Sequence, residues 1–371
     1  MKNKILIMAL ISTALISLQI QSSESSYEPD LNSADTSKFE QVFILGLQGD
    51  LTATLKFLDT LSDSSLTQRQ ADIRQKIYSR YKQLNEDYKF ISKDSTINKL
   101  IGIYLNYWRN ALLDNSSFEK YDVELTREVT GFLRENYPEV SNASETDINE
   151  KFPQYLQDYL MTKRIFAATG KTGMFFDLLL HGKESEVIYE VTIPEEKINV
   201  KVVFMEDVIS NGWEDYATFG KYYPGGWATS DALYCIKESY DLNSENFLVS
   251  YLKHEGKHFA DYKLFPKLTG ADLEYRAKLV ELSAAKVNLY SLIKFFSMNS
   301  IYDKQNPHGF ANFCVIRDLT KQLFGTEMET DIEKWKTIST DNINNAAAIL
   351  LKQNTNNLKK AGAETVSEFI K

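Results

Sequence analysis

The sequence has little cysteine, no block of positive charge and no long apolar run beyond its first residues. Lys and Arg number 42 against 51 Asp and Glu, which gives a net charge of −9 and a pI near 5.2. Nucleic-acid-binding proteins usually present a basic face, so this balance, with its scattered positive charges, excludes a nucleic-acid partner. Cys235 and Cys314 either pair in an oxidising compartment or stay buried and free, and the sequence leaves both open.

The first residues are typical of an export signal. Lys2 and Lys4 precede the uncharged apolar run Ile5–Leu18, and a polar segment follows it. This order describes a secretory signal peptide, which we assign to residues 1–26. An N-terminal membrane anchor is the alternative, because the segment has no A-x-A cleavage site. We expect a secreted or periplasmic protein with no stable membrane span after signal removal, and the oligomeric state stays open.

Residues 27–183 are predicted to form a helical N-terminal domain. Between short polar breaks, apolar side chains recur at the spacing of a helix face from Ser37 to about Leu180. The clearest stripes are Ile73, Ile77, Tyr81 and Leu84, then Ile101, Leu105, Trp108 and Leu112, and then Leu125, Val129, Phe132 and Leu133. The pattern predicts five or six helices and says nothing about chemistry.

The hydrophobic period then changes from helical spacing to alternation. The runs EVIYEVTI and INVKVVF alternate at spacing two on either side of Pro194, which predicts a β-hairpin. A second region of strand character, YYPGGWATSDALYCI, contains Gly225 and Gly226, and helical patterns resume near Ser244. The predicted fold class is therefore α+β and mostly helical, with residues 184–371 forming a second domain that contains a small sheet.

The stretch KHEGKH contains two of the four histidines in the chain. Asn243 is a predicted N-cap of its helix, and Pro266 ends it. Because residues i and i+4 share a helix face, His254 and His258 can present two nitrogens to one zinc ion. Glu255 is rotated from that line, where a carboxylate can take a proton from an attacking water and pass it to a leaving amine. The alternative is a surface helix with two polar histidines.

The motif from His254 to His258 resembles HExxH, the zinc-binding motif of the zincin metallopeptidases. The resemblance covers this helix, the strands before it and the helix after it. It implies that residues 184–371 form a zincin-like domain with one Zn²⁺ per chain. It also implies that a zinc-activated water hydrolyses peptide bonds of a peptide or protein substrate, with Glu255 as general base.

A third metal ligand must come from elsewhere in the chain if water is to take the fourth position. Metzincins place a histidine where this chain has Leu264, and a glycine where it has Asp261, so the metzincin pattern is absent. Gluzincins take a glutamate from the next helix, which here offers Glu274 and, seven residues later on the same face, Glu281.

Glu274 is the preferred third ligand, and Glu281 is the alternative. Glu274 is followed by Ala277, which gives an E-x-x-A pattern similar to that of several gluzincin families, where a small residue lets the two helices approach. Those families often have an acidic residue one position later. This chain has Lys278 there, which is a departure from the pattern. Asp261 is a further candidate, as a hydrogen-bond acceptor for an imidazole N–H.

Peptide hydrolysis also needs a donor for the oxyanion that forms on the attacked carbonyl. The resemblance to gluzincins implies a His or Tyr downstream, and His308 is the best candidate. Asn306 and Pro307 before it are typical of a helix start, so a purely structural role for His308 is the alternative. Tyr302 and Tyr275 are further candidates for the donor.

Two questions about function stay open in the sequence. The segment Gly225–Tyr234 is either the sheet edge that binds substrate as an added strand or a turn followed by a core strand. The second function hypothesis is a zinc-binding, non-catalytic protein whose helical N-terminal part binds a partner. Glu255 distinguishes the two hypotheses, because a structural metal site has no need of a carboxylate beside an open coordination position.

Overall fold

The computed structural model describes residues 34–371 apart from positions 86 and 195, so the predicted signal peptide, 1–26, lies outside it. The described chain is mostly helical with one sheet, which confirms the α+β class. It divides into two compact units, one of residues 34–184 and 206–224, the other of residues 185–205 and 225–371. Within the described residues, no helix combines the length and apolar character needed to cross a membrane.

Among its described residues, the first unit has six α-helices in the region predicted to be helical and a seventh outside it. The six are α1 (Ala34–Leu47), α2 (Leu51–Asp59), α3 (Gln68–Tyr81), α4 (Ser95–Leu113), α5 (Phe118–Asn136) and α6 (Glu145–Thr162), and the seventh, which the apolar stripes do not predict, is α7 (Trp213–Thr218). Thr67 and Gln70 form a capping box at the start of α3. The predicted stripes on α4 and α5 are buried throughout. Leu84, however, lies beyond the end of α3 and is 60% exposed, so that part of the first stripe is wrong.

The helical prediction is also wrong between residues 166 and 180, where the chain forms strands. β1 (Phe166–Thr172) pairs antiparallel with β2 (Phe175–Ile193). The apolar run FFDLLL lacks the alternation of a half-buried strand, and a short continuous run does not distinguish a buried strand from a helix. His181 therefore lies in β2, where its ring stacks on Phe166 and its Nε2 is 3.0 Å from Glu184.

The second unit contains the predicted hairpin and the small strands after it. β2 runs into β3 (Glu196–Asn211) around Pro194, and both strands are longer than the alternating runs. β4 (Gly226–Ala228) pairs antiparallel with β5 (Leu233–Ile236), and β5 pairs parallel with β3. The sheet order is β1-β2-β3-β5-β4, so β4 is an edge strand.

Helices cover the remainder of the second unit. They are α8 (Leu252–Leu264), α9 (Gly270–Ala284), α10 (Leu289–Met298), α11 (Pro307–Phe324), α12 (Ile332–Trp335) and α13 (Thr340–Gly362). α9 is central, because α8, α11 and α13 all pack against it. The core of this unit joins these helices to the strands of the hairpin and β5. Cys235 and Cys314 lie in this core as free thiols.

Candidate metal centre

The helix that carries the HEGKH motif is buried. A π-helical segment, Asn246–Tyr251, leads into α8, and the Tyr251 hydroxyl donates a 2.8 Å hydrogen bond to the Tyr234 carbonyl of β5. α8 then ends just before the predicted proline stop. His254 and His258 are both 0% exposed, so the interpretation as a surface helix with two polar histidines is wrong.

The two histidines direct the same ring nitrogen at one point. Their Nε2 atoms are 3.1 Å apart, and the ring planes are inclined by 76°. The other nitrogen of His254, Nδ1, lies 2.5 Å from Oε1 of Glu281 on α9. Since a carboxylate accepts, Nδ1 carries a proton, and the lone pair of Nε2 becomes available to a metal once the ring loses its other proton.

Glu274, also on α9, completes a cluster of three possible ligands. Its Oε1 is 3.1 Å from Nε2 of His258, and its Oε2 is 3.6 Å from Nε2 of His254. One ligand atom from each residue lies within 4.8 Å of the other two, in the part of the chain that the structure describes. Glu281 contacts His254 from outside this cluster. The geometry therefore groups Glu274, and not Glu281, with the two histidines.

The cluster has the unsatisfied atoms that a metal ion requires. Glu274 is 0% exposed, yet neither of its carboxylate oxygens has a hydrogen-bond partner among the described residues. Lys278, 3.4 Å from Oε2, balances the charge of Glu274, but both carboxylate oxygens keep lone pairs that a metal ion could bind. Two imidazoles and one carboxylate form the His₂Glu set of catalytic zinc sites, so these residues fit zinc. Imidazole also suits iron, copper and nickel, so the set is not specific to zinc.

Glu255 lies beside the cluster, and its carboxylate has no partner of its own. It is 0% exposed, and neither oxygen makes a hydrogen bond within the described chain. Burial raises the pKa of Glu255 to about 8, an effect that His254 opposes and Glu274 reinforces. The backbone amide of Ala228 approaches it from β4 and lowers this pKa slightly, outside hydrogen-bonding geometry. Glu255 is thus near enough to both the ligand cluster and Ala228 of the edge strand for each to shift its pKa.

Burial and neighbouring charge set the protonation of the three cluster residues. Burial alone would raise the pKa of Glu274, but the charges of His308 and Lys278 hold it well below its usual value. Burial lowers the pKa of His254, but the carboxylates of Glu281 and Glu274 outweigh it and raise the pKa to about 10. Burial lowers the pKa of His258. The imidazole of His254 therefore holds a proton that a metal would displace.

His308 is placed beside the cluster, at the start of α11 as predicted. Asn306 caps that helix by accepting the Gly309 N–H. The Nδ1 atom of His308 is 3.1 Å from Oε2 of Glu274, and 30% of its side chain is exposed, against 1% for Glu274. The structure thus places His308, the predicted oxyanion donor, beside the ligand cluster on its more exposed side.

The two tyrosines that are further candidates for the oxyanion donor, Tyr275 and Tyr302, contact residues outside the ligand cluster. The Tyr275 hydroxyl donates a 2.9 Å hydrogen bond to Asp318 and is deeply buried. Tyr302 is 74% exposed and packs against the rings of Phe310 and Phe313. Neither hydroxyl has a contact with the ligand cluster among the hydrogen bonds of the described residues.

The edge strand beside Glu255 depends on a glycine. A Cβ at Gly226 would lie 2.2 Å from the Tyr234 carbonyl oxygen and 2.6 Å from the Tyr251 ring, so any larger residue would push β4 away from β5. The ring of Trp227 is half-buried and stacks on Tyr234 at 5.4 Å. Gly226 therefore lets the backbone of β4 lie close to β5.

A buried ion-pair network behind the cluster was not predicted. Asp261 was expected to contact an imidazole, but both its oxygens bind the Arg276 guanidinium, at 2.7 and 3.0 Å. Lys257 lies 3.0 Å from the same carboxylate. Arg276 also donates to Asn354 and Thr355 on α13, at 2.7 and 3.1 Å. The network joins α8, α9 and α13 and so holds the two ligand-bearing helices together.

Comparison with protein-family models, with curated proteins and with solved structures finds no match for this chain.

Proposed function

We propose that this protein is a zinc-dependent metallopeptidase of gluzincin type that hydrolyses peptide bonds. The observation that carries the proposal is the convergence of His254, His258 and Glu274 within 4.8 Å of one another, with the unpartnered carboxylate of Glu255 beside them. Buried carboxylates without partners are rare in proteins and concentrate at sites that bind a ligand or move a proton. The proposal includes a zincin-like fold for residues 184–371 and export of the protein through its signal peptide.

The chain's own residues have distinct tasks in this proposal. His254, His258 and Glu274 would hold one Zn²⁺, which when bound acidifies a water molecule and polarises a carbonyl. Glu255 accepts a proton from the attacking water and returns it to the leaving amine. Its burial supports this role, because burial raises the pKa of Glu255 towards neutrality, where a carboxyl can both accept and return a proton.

His308 and the edge strand complete the proposed site. His308, at the exposed side of Glu274, donates to the oxyanion of the attacked carbonyl. β4 lies at the edge of the sheet, and the Ala228 amide lies near Glu255. A substrate paired with this edge as an added strand would therefore pass close to Glu255.

A second candidate function is a non-catalytic metal site in a protein whose helical part binds a partner. One observation favours it, since the three ligand residues are all 0% exposed, as in many structural sites. Glu255 argues against it, because a closed structural site gains nothing from a second, unpaired carboxylate. The peptidase remains the better explanation of the buried carboxylates.

Hydrolysis of a quenched fluorescent peptide library by the zinc-loaded protein tests the proposal. Glu255→Gln keeps the shape of the side chain but removes the base, so it should keep the zinc and lose at least about 100-fold in rate. Asp341→Asn removes an exposed carboxylate and should keep full activity. A Glu255→Gln variant as active as the wild type, with equal zinc content, would contradict the proposal, and so would a wild type that binds zinc and cleaves none of the library.

A further inference from the structure

Lys278 is a buried cation directed at the candidate metal centre. It lies on α9 one turn after Glu274 and is only 4% exposed. Its Nζ is 3.4 Å from Oε2 of Glu274 and 4.9 Å from the ring centroid of Phe296. Among the described residues its ammonium makes no hydrogen bond, and its ion-pair partner is Glu274. The ammonium thus has one ion-pair partner and makes no hydrogen bond, whereas buried ammonium groups normally have several close polar partners.

The carboxylate that neutralises Lys278 is shared with the metal site. Oε2 of Glu274 lies 3.1 Å from Nδ1 of His308 and 3.6 Å from Nε2 of His254, besides its contact with Lys278. When Glu274 ligates a divalent cation, the cation takes up its negative charge. Glu281, the other nearby carboxylate on α9, is bound to His254. Lys278 is then a buried positive charge without a counter-charge, which is a costly arrangement unless an anion binds it.

We propose that Lys278 is the anion-binding residue of this centre and that the anion is the carboxylate at the end of a peptide chain. The inference rests on the proposed function and gives its substrate class, namely peptides cleaved near a free C-terminal carboxylate. An ammonium and a carboxylate form a charge-assisted hydrogen bond, which is about twice as strong as a neutral one. Because Lys278 is buried, the end of a chain reaches it more readily than the middle of one.

Acetate binding tests the proposal without relying on catalysis. The protein is loaded with Co²⁺, whose visible absorption changes when an anion enters the centre, and is titrated with acetate at constant ionic strength. Lys278→Met keeps the length of the side chain without its charge and should bind acetate at least about tenfold more weakly. Lys278→Arg keeps the charge and should restore part of the affinity. Lys294→Met, which removes an exposed charge from α10, should behave as the wild type.

Equal acetate affinity in the wild type and Lys278→Met, at full cobalt occupancy, would overturn the proposal. In a calorimetric titration the metal-free protein should show no acetate binding at this site, because Glu274 then neutralises Lys278. Acetate binding of equal strength with and without metal would also overturn it.

A matched pair of substrates gives the second arm of the test. Two N-acetylated peptides are compared that differ only in a free or an amidated C-terminus. The wild type should hydrolyse the free acid with a kcat/KM at least about tenfold higher, and Lys278→Met should lose that preference. If both peptides are hydrolysed equally by both proteins, the Lys278 proposal is wrong while the peptidase stands. If cobalt does not bind, the metal centre itself is wrong.

Discussion

The imidazole of His254 donates its Nδ1–H to the carboxylate of Glu281 over 2.5 Å, and both side chains are buried. This pair fixes both the tautomer and the orientation of the ring, so that Nε2 faces Glu274 and His258. A residue outside the candidate ligand cluster thus sets the orientation of one of its three members.

The first prediction concerns this orienting pair. Glu281→Ala should weaken zinc binding by about 10–100-fold, because the ring of His254 loses its hydrogen-bond partner. Glu281→Gln still offers an oxygen to Nδ1–H and should recover part of the loss. Competition with a chromophoric chelator measures the affinity, and Glu333→Gln, an exposed carboxylate on α12, is the control. An unchanged affinity in Glu281→Ala would show that the pair has no role in the metal site.

The second prediction concerns the proton held by His254. Because its pKa is raised to about 10, His254 is protonated at neutral pH and must lose that proton to bind a metal. Zinc binding at pH 7 should therefore release about one proton from this residue, and the affinity should rise with pH up to about pH 10. Calorimetry in buffers of different ionisation enthalpy counts the protons. In Glu281→Ala the number of protons released should fall, because Glu281 no longer raises the pKa of His254. A wild type that releases no proton on binding zinc would refute the prediction.

The third prediction concerns the ion pair between Asp261 and Arg276, both of which are 0% exposed. Asp261→Asn leaves a buried guanidinium without its charge partner, which should cost about 3–5 kcal/mol of the free energy of unfolding. Urea unfolding of the metal-free protein measures this cost. Lys334→Met breaks an exposed ion pair on α12 and should leave the stability unchanged. If the two variants are equally stable, the network does not hold the ligand helices together.

The fourth prediction concerns a buried carboxyl in the first unit. Burial, reinforced by the neighbouring Asp177, raises the pKa of Glu214 to about 8. In the unfolded chain the pKa is lower, so the stability contributed by neutral Glu214 is complete below about pH 4 and is lost as the pH rises through 8.

Glu214→Gln removes that ionisation and should reduce the loss of stability between pH 5 and pH 9. At pH 9 the variant should be more stable than the wild type by about 2–4 kcal/mol, and at pH 5 the difference should be much smaller. Urea unfolding of both proteins at pH 5 and pH 9 measures this difference in the free energy of unfolding. A difference that is the same at both values would mean that Glu214 is not titrating in this range.

Helix geometry explains how much of the site was predictable. The spacing of His254 and His258 fixes their relative position on any α-helix, and the structure places them as expected. The E-x-x-A pattern favours Glu274 over Glu281, and the structure groups Glu274 with the histidines. The helix start before His308 was equally clear, because Asn306 and a following proline act locally.

Long-range contacts explain what sequence reasoning missed. Asp261 binds Arg276, and Arg276 reaches α13, which lies far away in the chain and has no local signature. The sequence shows Lys278 where gluzincins often have an acidic residue. That its ammonium points at Glu274 depends on how α9 packs, which the sequence does not show. The helical prediction fails between residues 166 and 180, because the apolar run there has no alternation and the strands form through pairing between β1 and β2.

The most direct test of the account is the zinc content of the purified protein, prepared without chelator and again after incubation with zinc. We expect about one zinc per chain in the wild type and in Glu255→Gln, and a large loss in His254→Ala and Glu274→Ala. Glu255→Gln serves as the matched control, because it changes a buried neighbour of the cluster without removing a ligand. A wild type that binds no zinc after incubation, or a Glu274→Ala variant that binds it as the wild type does, would contradict the account.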